Sequence, residues 1–240
     1  MSKQETLLMN LPQEIRDYLI ENAGSPVGRI LAHPFYHVVG IDHLVLAGII
    51  SLDDIKDSVA KNRDEYENIC SKGEFEAALY CVHKAYRAEY LLALIEANGV
   101  EALYPAIGSV WISVENIDRD YDFWQEIWSA VVGETGSNLA IMDDEDQAEY
   151  AALADTITIY RGFRSKGGEY GWSWTLDRKI AEWFACRFTG IPMIATATIP
   201  KVAALAYFGG RNESEIVVQP DQFSEITVEK LAQKKHAAAA

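Results

Sequence analysis

At Asp155 the apolar residues of this chain change their period. Before it they recur at helical spacing; after it Ile157 and Ile159 alternate with Thr156, Thr158 and Tyr160, the pattern of a half-buried strand. With no internal repeat on either side, one such switch points to two segregated regions rather than an alternation of strands and helices. The fold class expected is α+β. A helical N-terminal region over residues 1–150 precedes a compact mixed β-sheet region over residues 151–240.

In the front region, residues 5–22 carry Leu7, Leu8, Leu11, Ile15, Tyr18 and Leu19 on one face of a helix, and a short apolar helix fits Ile41–Ile50. Ser51 is a good N-cap, with Asp53 and Asp54 in the first turn of a helix that runs to Gly73. A single helix is expected from Glu74 to Ala97, antiparallel to the last. A further one starts at Ser113 and presents Ile117, Tyr121, Trp124, Trp128 and Val131 as a packing stripe. The acidic run Asp143–Asp146 reads as a solvated linker or the charged start of a helix.

The rear region opens with the strand from Thr156, followed by a loop through Gly162, Gly167 and Gly168. Thr175 or Asp177 caps a helix with Ala181, Phe184, Ala185 and Phe188 on one side, and three strands come after it over Met193–Ile199, Ala203–Phe208 and Glu215–Val218. The tail beyond Val228 reads as helical at best.

Charge divides unevenly. Residues 1–155 hold 10 Lys and Arg against 28 Asp and Glu, a net −18; residues 156–240 hold 11 against 8, a net +3, together the −15 of the whole. An acidic chain disfavours indiscriminate nucleic-acid binding, while a mildly basic rear region can accept a phosphate ligand. Cys70, Cys81 and Cys186 lack paired spacing, and Pro34 and Gly40 separate His33 and His37 from helical alignment, so neither a disulfide framework nor a metal site is expected. The first residues are polar and no apolar run reaches the roughly 18 residues of a membrane span, so no signal peptide or membrane segment is expected and the location expected is cytoplasmic.

Three short pieces of the rear region carry chemistry in their order: Tyr160-Arg161-Gly162, Ser173-Trp174-Thr175, and Glu213-Ser214-Glu215 leading into an apolar strand that ends before Pro220. An arginine offers a fork of donors to phosphate or ribose oxygens, though a lone one is more often a surface ion pair. Of the two glutamates, one is expected to face a cleft and the other to lie on the loop lip.

Taken together, residues 156–223 resemble the ADP-ribosyltransferase superfamily of the arginine-serine-glutamate type, with its Glu-X-Glu loop. The resemblance implies that NAD is the co-substrate, that no metal is needed, and that nicotinamide is displaced from the ribose. It gives Glu215 the stabilisation of the oxocarbenium-like transition state, Ser173 the orientation of Glu215, and Thr175 the support of the strand. Arg161, and secondarily Arg164, would hold phosphate or ribose oxygens, and the Gly162 backbone the nicotinamide amide. Trp172 and Trp174 would wall the nicotinamide or belong to the core, and Glu213 would orient or deprotonate the acceptor. The function implied is mono-ADP-ribosylation of a macromolecule, protein or nucleic acid, by a bacterial toxin, defence protein or phage effector, with an antitoxin or regulatory partner in keeping with the acidic front. Two other functions fit the sequence: an NAD glycohydrolase, and a non-catalytic acidic interaction module.

Overall fold

A computed structural model describes residues 11–21, 33–36, 45, 47–114, 117, 120–133, 138–187, 190–220, 223 and 225–232. The chain divides into two compact units, Met1–Gly133 and Glu134–Ala240. The first is helical and the second carries the sheet, so the protein is α+β. The division falls at Gly133, ahead of the boundary at residue 150 expected from the sequence.

In the first unit, α1 (Gln13–Glu21) sets Ile15 and Leu19 into a core shared with Leu11, Phe35, Ile55, Val59, Val82 and Tyr86. The earlier part of the helix expected from residue 5, most of the one over Ile41–Ile50, and His37 and His43 lie outside the described residues. Residues 47–50 form a turn, with Gly48 at φ 68°. Helix α2 (Leu52–Cys70) opens with a reciprocal cap: Asp54 N donates to Ser51 Oγ at 3.2 Å, and Ser51 N donates to Asp54 Oδ2 at 2.8 Å.

The stretch expected as one helix from Glu74 is two, α3 (Phe75–Tyr80) and α4 (Arg87–Asn98), separated by a short 3₁₀ turn. His83 makes the break. Its backbone N–H donates to Pro34 O at 2.7 Å instead of continuing the helix, and its Nδ1 accepts from Ala85 N at 3.1 Å, capping the 3₁₀ turn that leads into α4. Ser113 also differs from expectation, because it ends α5 (Tyr104–Ser113) rather than starting the next helix. Pro105 occupies the first turn of α5, where a missing N–H costs nothing, and Val114 turns extended beyond it. The tryptophan stripe belongs to α6 (Tyr121–Gly133), where Trp124 and Trp128 are buried edge-on against Trp111 at ring distances of 4.8 and 5.5 Å.

In the second unit, α7 (Asp144–Ala152) is the acidic run itself, capped by Asp143. Beyond it come six strands: β1 (Thr156–Phe163), β2 (Ser173–Thr175), β3 (Met193–Pro200), β4 (Ala204–Phe208), β5 (Glu215–Val218) and β6 (Thr227–Lys230). They form one sheet in the order β4-β5-β2-β1-β3-β6, with every pairing antiparallel. Thr227–Lys230 thus form an edge strand on β3 where at best a helix was expected, and the tail from residue 233 lies outside the described residues. All four residues of the strand are exposed, so it carries no apolar period that a sequence reading could detect.

Helix α8 (Arg178–Arg187) packs on β1, β2 and β3 through the buried Ala181 and Ala185. Phe188, expected on the same face, lies outside the described residues. Strand β1 runs through Gly162 rather than stopping there, because the α8 backbone rests directly on that glycine.

Candidate active site

The register of the sheet decides which of the sequence-selected residues meet. Thr175 on β2 lies opposite Tyr160 on one side and Glu215 on the other; Tyr160 in turn lies opposite Thr196, and Thr196 opposite Thr227. One row across five strands therefore reads Glu215, Thr175, Tyr160, Thr196, Thr227. Because successive residues of a strand alternate between faces, Ser173 shares the face of Thr175, while Arg161, Trp174 and Ile216 belong to the opposite face. The structure places Ser173, Thr175 and Glu215 on one face of adjacent strands, and Arg161, on the other by alternation, touches the Ser173 backbone.

Glu215 opens β5 and is only 6% exposed, as is Thr175 beside it. A glutamate in that position is informative, since carboxylates are rarely buried without partners or a task. The loop before it is strained: Asn212 and Ser214 hold φ of 55° and 43°, in the left-handed region that non-glycine residues seldom occupy. Between them Glu213 is half-buried, and its carbonyl accepts the Thr175 hydroxyl at 2.6 Å. The same hydroxyl accepts from Asp177 N at 3.0 Å, and Leu176 N donates to Ser214 O at 3.1 Å. Thr175 thus fastens the end of β2 to the loop that carries both glutamates.

The two arginines are engaged with backbone. Arg161 lies inside β1, and not at its end; Nε donates to Gly168 O at 2.7 Å and Nη1 to Ser173 O at 2.6 Å, closing the β1–β2 loop. A Cβ on Gly171 would lie 2.1 Å from that guanidinium, so glycine there admits the arginine. Arg164 reaches Ala185 O, in the last turn of α8, and Gly190 O beyond the helix at 3.0 Å. Trp172 and Trp174 are both buried. Trp174 donates Nε1–H to Gly171 O at 2.8 Å and packs on Phe223 at 4.7 Å, which makes it a core residue on the face away from Glu215.

Two groups that the sequence left aside join the site. Tyr160, read only as the aromatic before Arg161, stands in the Glu215 row, with the Arg178 guanidinium 6.0 Å from its ring centre; Arg178 also pairs with Glu182 and Glu229. The acidic helix α7 reaches the other end of the Glu213 loop. Gly209 N donates to Asp146 Oδ1 at 2.7 Å, and the Tyr207 hydroxyl donates to Glu149. Burial pushes the Asp146 carboxyl above its ordinary range, with the Gly209 amide opposing and neighbouring carboxylates adding to it. Strand pairing reveals the first of these groups and the bonds of α7 to Tyr207 and Gly209 the second, and no local pattern announces either.

The arrangement sets a buried carboxylate in one row with Thr175 and Tyr160 and on the same face as Ser173, with a second carboxylate on the adjoining loop. That chemistry suits stabilisation of positive charge on a sugar and removal of a proton from an incoming nucleophile. Among the described residues no cluster of three His, Cys, Asp or Glu side chains is placed to hold a metal ion, and no helix is long and apolar enough to cross a membrane. Comparison with family models, with curated proteins and with solved structures finds no match in any of the three.

Proposed function

We propose that the chain is a cytoplasmic NAD-dependent mono-ADP-ribosyltransferase acting on a macromolecular acceptor, protein or nucleic acid. The observation that carries this reading is the register that sets Thr175 directly between Glu215 and Tyr160, so that the three motif pieces occupy the adjacent strands β1, β2 and β5. In the reaction the bond between nicotinamide and ribose C1′ breaks and nicotinamide leaves with the electron pair. The acceptor nucleophile forms the new bond to C1′, and its proton passes to Glu213. Glu215 stabilises the developing positive charge on the ribose, more strongly than in the ground state because the carboxylate is already fixed and desolvated. Ser173, on the same face one strand away, orients the ribose hydroxyl against it.

Arg161 takes a different part from the one the resemblance implies. Its two bonds to the Gly168 and Ser173 carbonyls position β2, and the cation beside Tyr160 in the Glu215 row is Arg178, which a pyrophosphate would draw from Glu182 and Glu229. The acidic first unit serves recognition or docking of a regulatory partner.

The test is incubation of the purified protein with tagged NAD and a cell extract, reading nicotinamide release and label transfer. Glu215→Gln is expected to lower both by about 100-fold or more. Removal of the label by protease or by nuclease identifies the acceptor class. Nicotinamide release with no label transferred assigns the site to NAD hydrolysis; if wild type and Glu215→Gln both release none, the reading fails.

A further inference from the structure

We infer that Tyr207 and Glu149 are positioning residues, which hold the Glu213-Ser214-Glu215 loop from behind and so aim its two carboxylates. The inference rests on the transferase reading for its activity readout; its structural readout stands alone.

The loop from Gly209 to Ser214 joins β4 to β5 and includes a 3₁₀ turn at Gly210–Asn212. With Asn212 and Ser214 both left-handed, it occupies a conformation that the chain does not prefer by itself. Two sets of bonds hold it there. On one side are the bonds from β2 already described, Thr175 Oγ1 to Glu213 O and Leu176 N to Ser214 O. On the other side stands the segment Met142–Glu149. Met142 Sδ accepts from Tyr207 N at 3.2 Å, Asp146 accepts from Gly209 N, and Glu149 accepts from the Tyr207 hydroxyl.

Tyr207 is the link between these sets. It is buried, lies opposite Ile216 on β5, and has the Ser214 side chain as a hydrogen-bonding neighbour of its phenol. Ser214 is the residue between the two glutamates. A chain of contacts thus runs from the acidic helix through the phenol to the left-handed residue that sets Glu213 and Glu215 on different courses. Since Phe208, not Tyr207, lies opposite Glu215, the network acts from the face away from the Glu215 row and takes no room from a substrate there. Burial raises the Tyr207 phenol above its ordinary pKa, with the bond to Glu149 adding to the rise and Ser214 opposing it, so the hydroxyl remains a donor throughout the neutral range.

The test uses the full chain and three variants: Tyr207→Phe, which keeps the ring; Glu149→Ala, an exposed position whose loss leaves the core intact; and Glu149→Gln, which keeps an acceptor. Amide hydrogen exchange without NAD is expected to rise about tenfold at residues 210–215 in Tyr207→Phe and Glu149→Ala, the size of one lost hydrogen bond, and to stay near wild type in Glu149→Gln. In label transfer the first two lower kcat about tenfold with the NAD KM changed less than about twofold, and Glu149→Gln restores it. Unchanged exchange in Glu149→Ala overturns the inference whatever the activity. A raised KM with kcat intact overturns it as well, by making the network part of ligand binding. Raised loop exchange in a protein that never consumes NAD upholds the positioning role and defeats the transferase reading alone.

Discussion

Gly162 has no side chain because the backbone of α8 occupies the place one would take: a Cβ there would lie 1.9 Å from Ala181 O and 2.6 Å from Ala185 N. Neither atom is the end of a flexible side chain, so the helix as a whole must step back from the sheet. Gly162→Ala is expected to cost about 3 kcal/mol in urea unfolding, at the upper end of overpacking penalties. A loss under about 0.5 kcal/mol, the size of an ordinary surface change, would show that α8 is free to move. Arg161 teaches the same lesson. Its neighbourhood in sequence, an aromatic before and a glycine after, reads as a phosphate clamp or a surface ion pair, and neither is the brace for backbone carbonyls that the structure shows. What decides is the return of the chain at Gly168 and Ser173, which no property of residues 160–162 encodes. Glu215 is the counter-case: an apolar strand following a carboxylate marks the residue as entering the sheet, which is where it lies.

Among the elements, those specified by nearby residues are the ones the sequence discloses. Helix α2 has its cap, its acidic first turn and its buried Ile55 and Val59 all written locally. Ser51→Ala removes the acceptor for Asp54 N and is expected to lower stability by about 1 kcal/mol, read as a fall in the thermal midpoint that Ser51→Asp largely restores. An equal fall in both variants would place the effect elsewhere than in the cap. Strands β1, β3, β4 and β5 are legible for the same reason, through alternation and glycine punctuation. The break between α3 and α4 is not, because it depends on His83 meeting Pro34, a residue far away in the chain. Strand β6 is hidden by its exposure; α7 is the second of the two readings of the acidic run, but a run of carboxylates gives no sign that two of them face a tyrosine and a glycine amide of β4 and the turn beyond it.

At the scale of the whole molecule, the position of the division changes the electrostatics. The seven acidic residues between 134 and 155 belong with the sheet, so the first unit holds 10 basic against 21 acidic residues, a net −11, and the second 11 against 15, a net −4. The sheet unit is therefore not basic overall, and the case for a phosphate ligand rests on individual cations rather than on its net field. The two units also respond to acid through different groups. In the first, His33 is fully buried, stacked on Tyr18 at 6.2 Å, and accepts from Phe35 N through Nδ1 at 3.1 Å, a bond that protonation would abolish. Burial, aided by the Arg63 charge, lowers its pKa from 6.5 to about 4. A depressed pKa means that the unfolded chain takes up the proton first. The stability due to neutral His33 is complete above pH 6.5, declines as pH falls towards 4, and changes no further below that, by up to about 3 kcal/mol in all. Glu89 in the same unit and Asp146 in the other are raised, chiefly by burial, so their contributions have the opposite sign: present at low pH and lost as pH rises through their folded values. Comparison with a variant isolates the histidine, because both carboxylates remain in each protein. Urea unfolding of wild type and His33→Phe between about pH 4 and 7 should show the two stabilities converging as pH falls through the window. Parallel curves would mean that His33 takes up its proton as readily in the folded protein as in the unfolded chain, and that the Phe35 amide is held by something other than its ring nitrogen.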